Sequence, residues 1–229
     1  MNAIARYIVL FYALSANTIL HAAYISPIGL SPGDKFRLVF VTSGSIDALS
    51  SNIGVYDKFV SDAAATAGLS IIYGASVQWS AIGSTTSVYA KHRFLITDAQ
   101  IFRLDGEKVS NDLSALWAND LAVPINIDEM GNARNARVYT GTSNNSISFP
   151  TGVLGAVSPP HTIIGFSGAR DSLWLEESQW SQQNVKHSLY AMSQELTFPS
   201  TSVPEPTSFA FASLVVFASL AKSLKRRTR

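Results

Sequence analysis

The chain has 229 residues, of which 47% are hydrophobic and 14% charged, and it contains no cysteine. This length fits one domain of ordinary size or two small ones, and the composition is that of a folded protein with apolar ends. The missing cysteine excludes disulfides, thiolate zinc sites, a cysteine nucleophile and a lipid anchor on an N-terminal cysteine.

The formal net charge of +1 is a property of the two ends of the chain. Between Tyr24 and Val203 there are 11 Lys and Arg against 15 Asp and Glu, which gives this middle part a net charge of −4. A mildly acidic domain offers no basic stripe that would follow a phosphate backbone. We therefore expect no nucleic-acid partner.

Residues 1–23 have the order of regions found in a secretory signal peptide. Arg6 supplies the positive charge, residues 7–20 are mostly apolar, and the small residues Ala22 and Ala23 follow. The apolar part is short and interrupted by polar residues, which argues against a membrane span. We expect export and cleavage by signal peptidase after Ala22 or Ala23.

The first half of the predicted domain, residues 24–198, contains a strand, a helix and a second strand. Lys35–Thr42 alternates in the manner of a strand. Apolar residues recur at helical spacing over Ile53–Ala67, and Gly68 is placed to end that helix. Val77–Gly83 predicts the second strand.

The second half is less regular. Ile101–Leu104 followed by Asp105-Gly106 predicts a short strand and a turn. A second helix is expected over residues 111–119 with Ser110 as N-cap, followed by a long loop region over Ala122–Gln179. Arg137–Thr140 within that region and Ser188–Phe198 at the end of the domain are expected to be strands. This order predicts an α+β fold.

Several short stretches carry a family resemblance: Ala67-Gly-Leu69, Trp79-Ser-Ala81, Phe102–Gly106, Val123-Pro-Ile125, Val138–Thr142, Trp180 and Leu189–Gln194. Together they resemble the C-type lectin-like fold, above all its endostatin-like and cysteine-poor bacterial relatives. The resemblance implies a single domain with two helices, a twisted antiparallel sheet whose first and last strands pair, and a long loop region that carries the binding surface. The calcium-dependent sugar site of that family is not carried over, because Val123-Pro-Ile125 lacks the carboxylate and the amide.

Candidate binding residues lie in the loop region. Aromatic faces suit the apolar faces of sugar rings, and Trp174 is the tryptophan of this region that we single out for ligand binding. Asp128 and Glu129 precede Gly131 in a loop and offer the hard oxygen ligands that calcium prefers. Calcium is the one cofactor that the sequence suggests.

The sequence contains none of the catalytic motifs sought. Histidines show no metal-ligand spacing, and no nucleophile-elbow, phosphate-loop or dinucleotide-binding motif is present. Glu176-Glu177 is a neighbouring carboxylate pair of the kind that glycosidases use, but adjacent side chains diverge on both helices and strands. We therefore expect no enzyme.

The C-terminal 31 residues combine three elements in order. Residues 199–206 form a linker rich in Pro, Ser and Thr, residues 207–224 predict a short transmembrane helix, and residues 225–229 form a basic cytoplasmic tail. The linker ends in the motif Val203, Pro204, Glu205 and Pro206, and the cationic residues at the end are Lys222, Lys225, Arg226, Arg227 and Arg229.

This arrangement resembles the PEP-CTERM sorting signal of bacterial surface proteins. The resemblance implies that an exosortase, a membrane-embedded processing enzyme, recognises the tail and delivers the protein to the cell surface or to extracellular polymer. We therefore expect a non-catalytic binding module at the surface or in the matrix, with extracellular polysaccharide as its partner. A purely structural matrix component and a surface polysaccharide hydrolase are the alternatives.

Overall fold

The computed structural model describes residues 26–144, 152–158, 160–177 and 180–200. The predicted signal peptide, sorting motif, transmembrane helix and basic tail lie outside the described residues. Within them the chain forms a mixed α+β domain with few helices, as predicted from the order of elements.

The main sheet is built around strand β1, Lys35–Val41. Phe36, Leu38 and Phe40 enter one hydrophobic core, and Val39 and Val41 enter another on the opposite face. Both faces of this strand are therefore buried. The sheet has the order β4 (Trp79–Ala81), β10 (Tyr190–Ser193), β1, β5 (Gln100–Arg103) and β6 (Lys108–Ser110), and β11 (Leu196–Thr197) also pairs with β1.

The first and last strands of the domain are paired, as expected, since β1 is antiparallel to both β10 and β11. The expectation of an entirely antiparallel sheet is wrong, because β1 and β5 are parallel. Between these two strands the chain runs through the helix Ile53–Thr66, strand β4 and the short helix Ala90–Arg93, and connections that cross over the sheet in this way join parallel strands. The local pattern of either strand carries no information on this direction.

Helix α1, Ile53–Thr66, confirms the prediction made from its spacing. The Asn52 side chain accepts a hydrogen bond from Gly54 N and begins the helix, and Gly68 adopts a positive φ of 77° just after its end. The helix buries Tyr56, Val60 and Ala64 in the first core.

Of the two later helices, one was not predicted and the other is shorter than predicted. Helix α2, Ala90–Arg93, was not predicted, and α3 spans Leu113–Trp117 within the predicted residues 111–119. Asp112, not Ser110, caps α3, because its carboxylate accepts a hydrogen bond of 2.7 Å from Ala115 N. Ser110 instead donates to the Asp112 carbonyl oxygen.

The predicted closing strand over Ser188–Phe198 is two strands, β10 and β11. The interruption has a side-chain cause: Ser193 Oγ accepts the hydrogen bond of Leu38 N at 2.9 Å, in place of a main-chain carbonyl. The first and last residues of the domain meet here, since Gly33 N donates to the Phe198 carbonyl oxygen and Phe198 N donates to that of Asp34. A small hairpin of β2 (Ile71–Ile72) and β3 (Ala75–Ser76) lies beside them and contacts Phe198 through Tyr73.

The region expected to consist mainly of loops contains a second sheet. Strand β7 (Arg137–Tyr139) was predicted, whereas β8 (His161–Phe166) and β9 (Trp180–Gln182) were not, and the three pair antiparallel in that order. A 3₁₀ helix, Ser172–Trp174, packs against β8. Gly165 permits this contact, because a Cβ atom at that position would lie 1.9 Å from the Trp174 carbonyl oxygen.

Candidate ligand-binding face

The four tryptophans differ sharply in exposure. Trp79 and Trp117 are buried, and Trp174 is completely buried. Trp180 on β9 is 42% exposed. A ring must be accessible to stack on a ligand. Trp180, and not Trp174, is therefore the candidate for ligand binding.

Trp174, which was expected to bind ligand, is not accessible, because tertiary packing buries its ring. Its indole Nε1 donates to Asn119 Oδ1 at 3.1 Å, and its ring lies between Trp117 and Tyr190 at centroid distances of 5.8 and 5.6 Å. Its ring and its polar atom are therefore used inside the second core.

Trp180 shares one face of the second sheet with several polar side chains. In the antiparallel register of β8 and β9, Trp180 lies opposite Ile163 and Gln182 lies opposite His161. Paired residues project to the same side of a sheet, as do residues two apart on one strand. We call this surface the Trp180 face, and it comprises Leu49, Pro160, His161, Trp180, Gln182 and Asn184.

A glycine lies beneath the indole ring. Gly152 has a φ of 93°, and a Cβ atom there would come within 3.2 Å of Trp180 Cη2 and 3.0 Å of Ile163 Cγ1. Gly152 also accepts a main-chain hydrogen bond of 2.8 Å from Ile163 N. The ring thus rests on backbone and on Ile163, which fixes its position at the surface.

The turn that follows β9 is held from below. The Tyr139 hydroxyl lies 2.6 Å from the Gln182 carbonyl oxygen and 2.8 Å from that of Val185, and Gln183 Nε2 donates to the Ala156 carbonyl oxygen. Ala48 N donates to the Gln183 carbonyl oxygen at 2.8 Å. These bonds fix the main chain while Gln182 and Asn184 project outward.

The polar side chains of the Trp180 face are available for a ligand. Those of His161, Gln182 and Asn184 make no hydrogen bond to the part of the chain that the structure describes. They border a cavity of about 300 Å³ together with Leu49, Pro160 and Gln183. Amide and imidazole groups both donate and accept hydrogen bonds, so such a cavity suits a ligand rich in hydroxyl groups.

Behind this face lies a contact between a serine and a histidine. Ser181 Oγ is 2.8 Å from His187 Nε2, and the imidazole packs edge-on against Tyr139 at 4.7 Å. Burial and, secondly, the positive charge of Arg137 lower the pKa of His187, while Glu177 raises it. Main-chain bonds to Ile46 hold His187 as well, so the pair links β9 to the loop after β1.

The carboxylates of the suggested calcium site already have partners. Asp128 Oδ1 accepts from Met130 N and Asn132 N at 3.0 and 2.8 Å, and Glu129 accepts from the backbone and the hydroxyl of Ser43. Both side chains are buried, and they shape the loop. Among the described residues no group of three or more His, Cys, Asp and Glu side chains could hold a metal ion, so the calcium prediction gains no support.

The neighbouring pair Glu176 and Glu177 also has separate partners. Glu176 accepts from Asn144 N at 2.9 Å, and Glu177 forms an ion pair with Arg137 at 3.1 Å. The two carboxylates thus bind different segments of the chain. Each has a structural role that explains its position.

A second concave surface lies at the other end of β8. This open groove of about 770 Å³ is bordered by residues 119–122 and by Phe166 and residues 168–171 and 173. Phe166 and Leu173 expose apolar surface there, and Asp120, Arg170 and Asp171 bring charges of both signs. Its chemistry is therefore mixed, in contrast to that of the Trp180 face.

Comparison with known proteins identifies no relative: no protein-family model matches the chain, and no curated protein matches it significantly. Among the described residues, no helix is both long enough and apolar enough to cross a membrane.

Proposed function

We propose that this chain is an exported, non-catalytic module that binds extracellular polysaccharide through the Trp180 face. One observation carries the proposal: an exposed indole ring, fixed over Gly152, lies beside amide and imidazole groups without partners in the described chain. An aromatic ring provides the flat apolar surface that the C–H side of a sugar ring requires, and the polar groups match its hydroxyls.

The terminal segments support the location that we propose. A signal peptide over residues 1–23 would export the chain, and the PEP-CTERM-like end would have it retained in the membrane and then processed by an exosortase. The ends of the described domain meet at the first residues of β1, whereas the Trp180 face is attached beyond the last residue of β1 through Ala48 and Ile46. Seven residues of strand separate the two regions by about 20 Å. An anchor at the C-terminus would therefore leave this face about 20 Å from the anchored end of the domain.

We also propose a C-type lectin-like arrangement for the domain. Its support is the antiparallel pairing of β1 with β10 and β11, the helix after β1, and a long region between β6 and β10 that contains a second small sheet. In the arrangement that we propose, the parallel pairing of β5 with β1 is a feature particular to this domain.

A polysaccharide pull-down tests the proposal. The full-length chain is solubilised in a detergent without a sugar headgroup and incubated with the extracellular polysaccharide of the organism that makes it. We expect binding by the wild type and a loss of about tenfold or more, ~1.4 kcal/mol, for Trp180→Ala.

Phe166→Ala is the matched control. Phe166 is an aromatic residue of similar exposure at the opposite end of the same sheet, where it lines the second groove. We expect Phe166→Ala to bind as the wild type does. Loss of binding in Phe166→Ala with retention in Trp180→Ala would place the site in the other groove and refute the assignment. Binding by neither the wild type nor the variants would refute the function.

A further inference from the structure

Apart from Leu49, the residues of the Trp180 face come from two segments that contain no Asp, Glu, Lys or Arg. Residues 138–169 include no Asp, Glu, Lys or Arg, and neither do residues 178–185. In a chain with 14% charged residues, an uninterrupted stretch of that length is unusual. Pro160 and His161 come from the first segment, and Trp180, Gln182 and Asn184 come from the second.

The structure brings these two segments together on one surface. Strands β8 and β9 pair directly, and Gly152 of the first segment contacts Trp180 of the second. The cavity beside them is lined by Leu49, Pro160, His161, Gln182, Gln183 and Asn184, none of which is an acid, a lysine or an arginine. The lining of this cavity is thus polar through amides and an imidazole and apolar through aliphatic groups, without a fixed charge.

A surface of this kind discriminates between ligands by charge. A uronate, phosphate or sulfate group bound here would lose water without gaining a cation, and an amino sugar would lose water without gaining an anion. A neutral hexose loses only hydroxyl hydration, which the amide and imidazole groups replace. The exposed side chains of Leu49 and Val185 add apolar surface next to the cavity.

We propose that the Trp180 face is specific for a neutral polysaccharide, a chain of sugars without uronic acid, phosphate, sulfate or amine groups. This inference rests on the proposed function, since it names the class of polymer that the same site takes. It distinguishes the face from the second groove, in which Asp120, Arg170 and Asp171 would favour a charged ligand.

Fractionation of the polymer by charge tests the inference. Extracellular polysaccharide of the producing organism is passed over an anion exchanger and then over a cation exchanger, and the fraction retained by neither column and the retained fractions are immobilised separately. The full-length chain, in a detergent without a sugar headgroup, is applied to each at low and high NaCl concentration. We expect binding to the unretained fraction only, lost in Trp180→Ala, with an affinity that changes less than about twofold between ~20 and ~300 mM salt because no ion pair is screened.

Two outcomes would overturn the inference, and they are distinguishable. Binding to a retained fraction that falls steeply with salt and is lost in Trp180→Ala would show a charged ligand at this face, and would contradict neutral specificity while leaving the binding function intact. Binding to none of the fractions would refute the proposed function itself. Tyr89→Ala, which removes an aromatic residue of the same exposure outside this face, is the control and should bind as the wild type does.

Discussion

The hydroxyl group of Tyr190 gives a quantitative test of the packing described here. Tyr190 is completely buried in the second core, and its hydroxyl has no hydrogen-bond partner in the described chain. Burial alone raises its pKa well above the usual value for tyrosine. A buried polar group without a partner costs about 1–3 kcal/mol, because it has lost its water. The substitution Tyr190→Phe removes the hydroxyl and keeps the ring against Trp174.

We expect Tyr190→Phe to increase the free energy of unfolding by about 1–2 kcal/mol. This gain is smaller than the full cost of burying the hydroxyl, because the small void that remains offsets part of it. For a domain of this size the corresponding rise in melting temperature is about 2–4 °C per kcal/mol. Urea unfolding followed by tryptophan fluorescence measures it.

Tyr56→Phe is the matched control with the opposite expected sign. Tyr56 is equally buried, but its hydroxyl donates to the Ser50 carbonyl oxygen at 2.8 Å and accepts from Ser50 N at 3.1 Å. Removing it should destabilise the protein by about 1–2 kcal/mol. If Tyr190→Phe were destabilised to the same extent as Tyr56→Phe, the hydroxyl of Tyr190 would have a partner, and the account of the second core would be wrong.

Three further predictions concern the Trp180 face, the histidine behind it and the ends of the chain. Gly152→Ala should destabilise the protein by at least about 1 kcal/mol, since its φ is positive, and should also weaken polysaccharide binding, since the new Cβ displaces the Trp180 ring; urea unfolding and the pull-down measure the two effects. His187 binds its proton less readily in the folded than in the unfolded state, so the free energy of unfolding is fully retained above about pH 6.5 and declines as the pH falls below that value; unfolding curves from pH 8 to 5 measure this decline. Protein recovered from the native cell surface or medium should have a mass that lacks the first 22 or 23 residues and everything after the Pro204–Pro206 region, as intact-mass spectrometry would show.

Each of these three has its own control or contrary outcome. Unchanged polysaccharide binding in Gly152→Ala would show that the position of the Trp180 ring does not determine binding. His187→Gln should flatten the decline between pH 6.5 and 5, and an equally steep decline in that variant would assign the dependence to other groups. A recovered mass that retains Lys222 to Arg229 would make the chain a tail-anchored membrane protein, and the exosortase assignment would be wrong.

Elements with a strong local pattern were predictable from the sequence. The pattern of β1 and the helical spacing of α1 gave their bounds to within one residue, because β1 buries side chains on both faces of the sheet and α1 buries them at helical intervals on one side. Strand β8 was missed. Its sequence is interrupted by Gly165, which reads as loop, yet only a glycine leaves room for the Trp174 carbonyl oxygen. That constraint comes from a contact between segments, which no local pattern records.

The candidate site shows the same limit. Trp174 and Trp180 lie six residues apart. Their different exposures arise from tertiary packing, because Trp174 packs against Asn119 and Trp180 lies on an outer strand of the second sheet. One signal was nevertheless present in the sequence. The charge-free segments 138–169 and 178–185 contain Pro160, His161, Trp180, Gln182 and Asn184 of the Trp180 face.

The most direct test of polysaccharide binding at Trp180 is a titration observed by NMR through the indole N–H signals of the four tryptophans. Addition of the polysaccharide should shift or broaden the Trp180 signal, identified by its absence in Trp180→Phe, and leave those of the buried Trp79, Trp117 and Trp174 nearly unchanged. A titration in which the Trp180 signal stays fixed while the polymer demonstrably binds would contradict the assignment of the site.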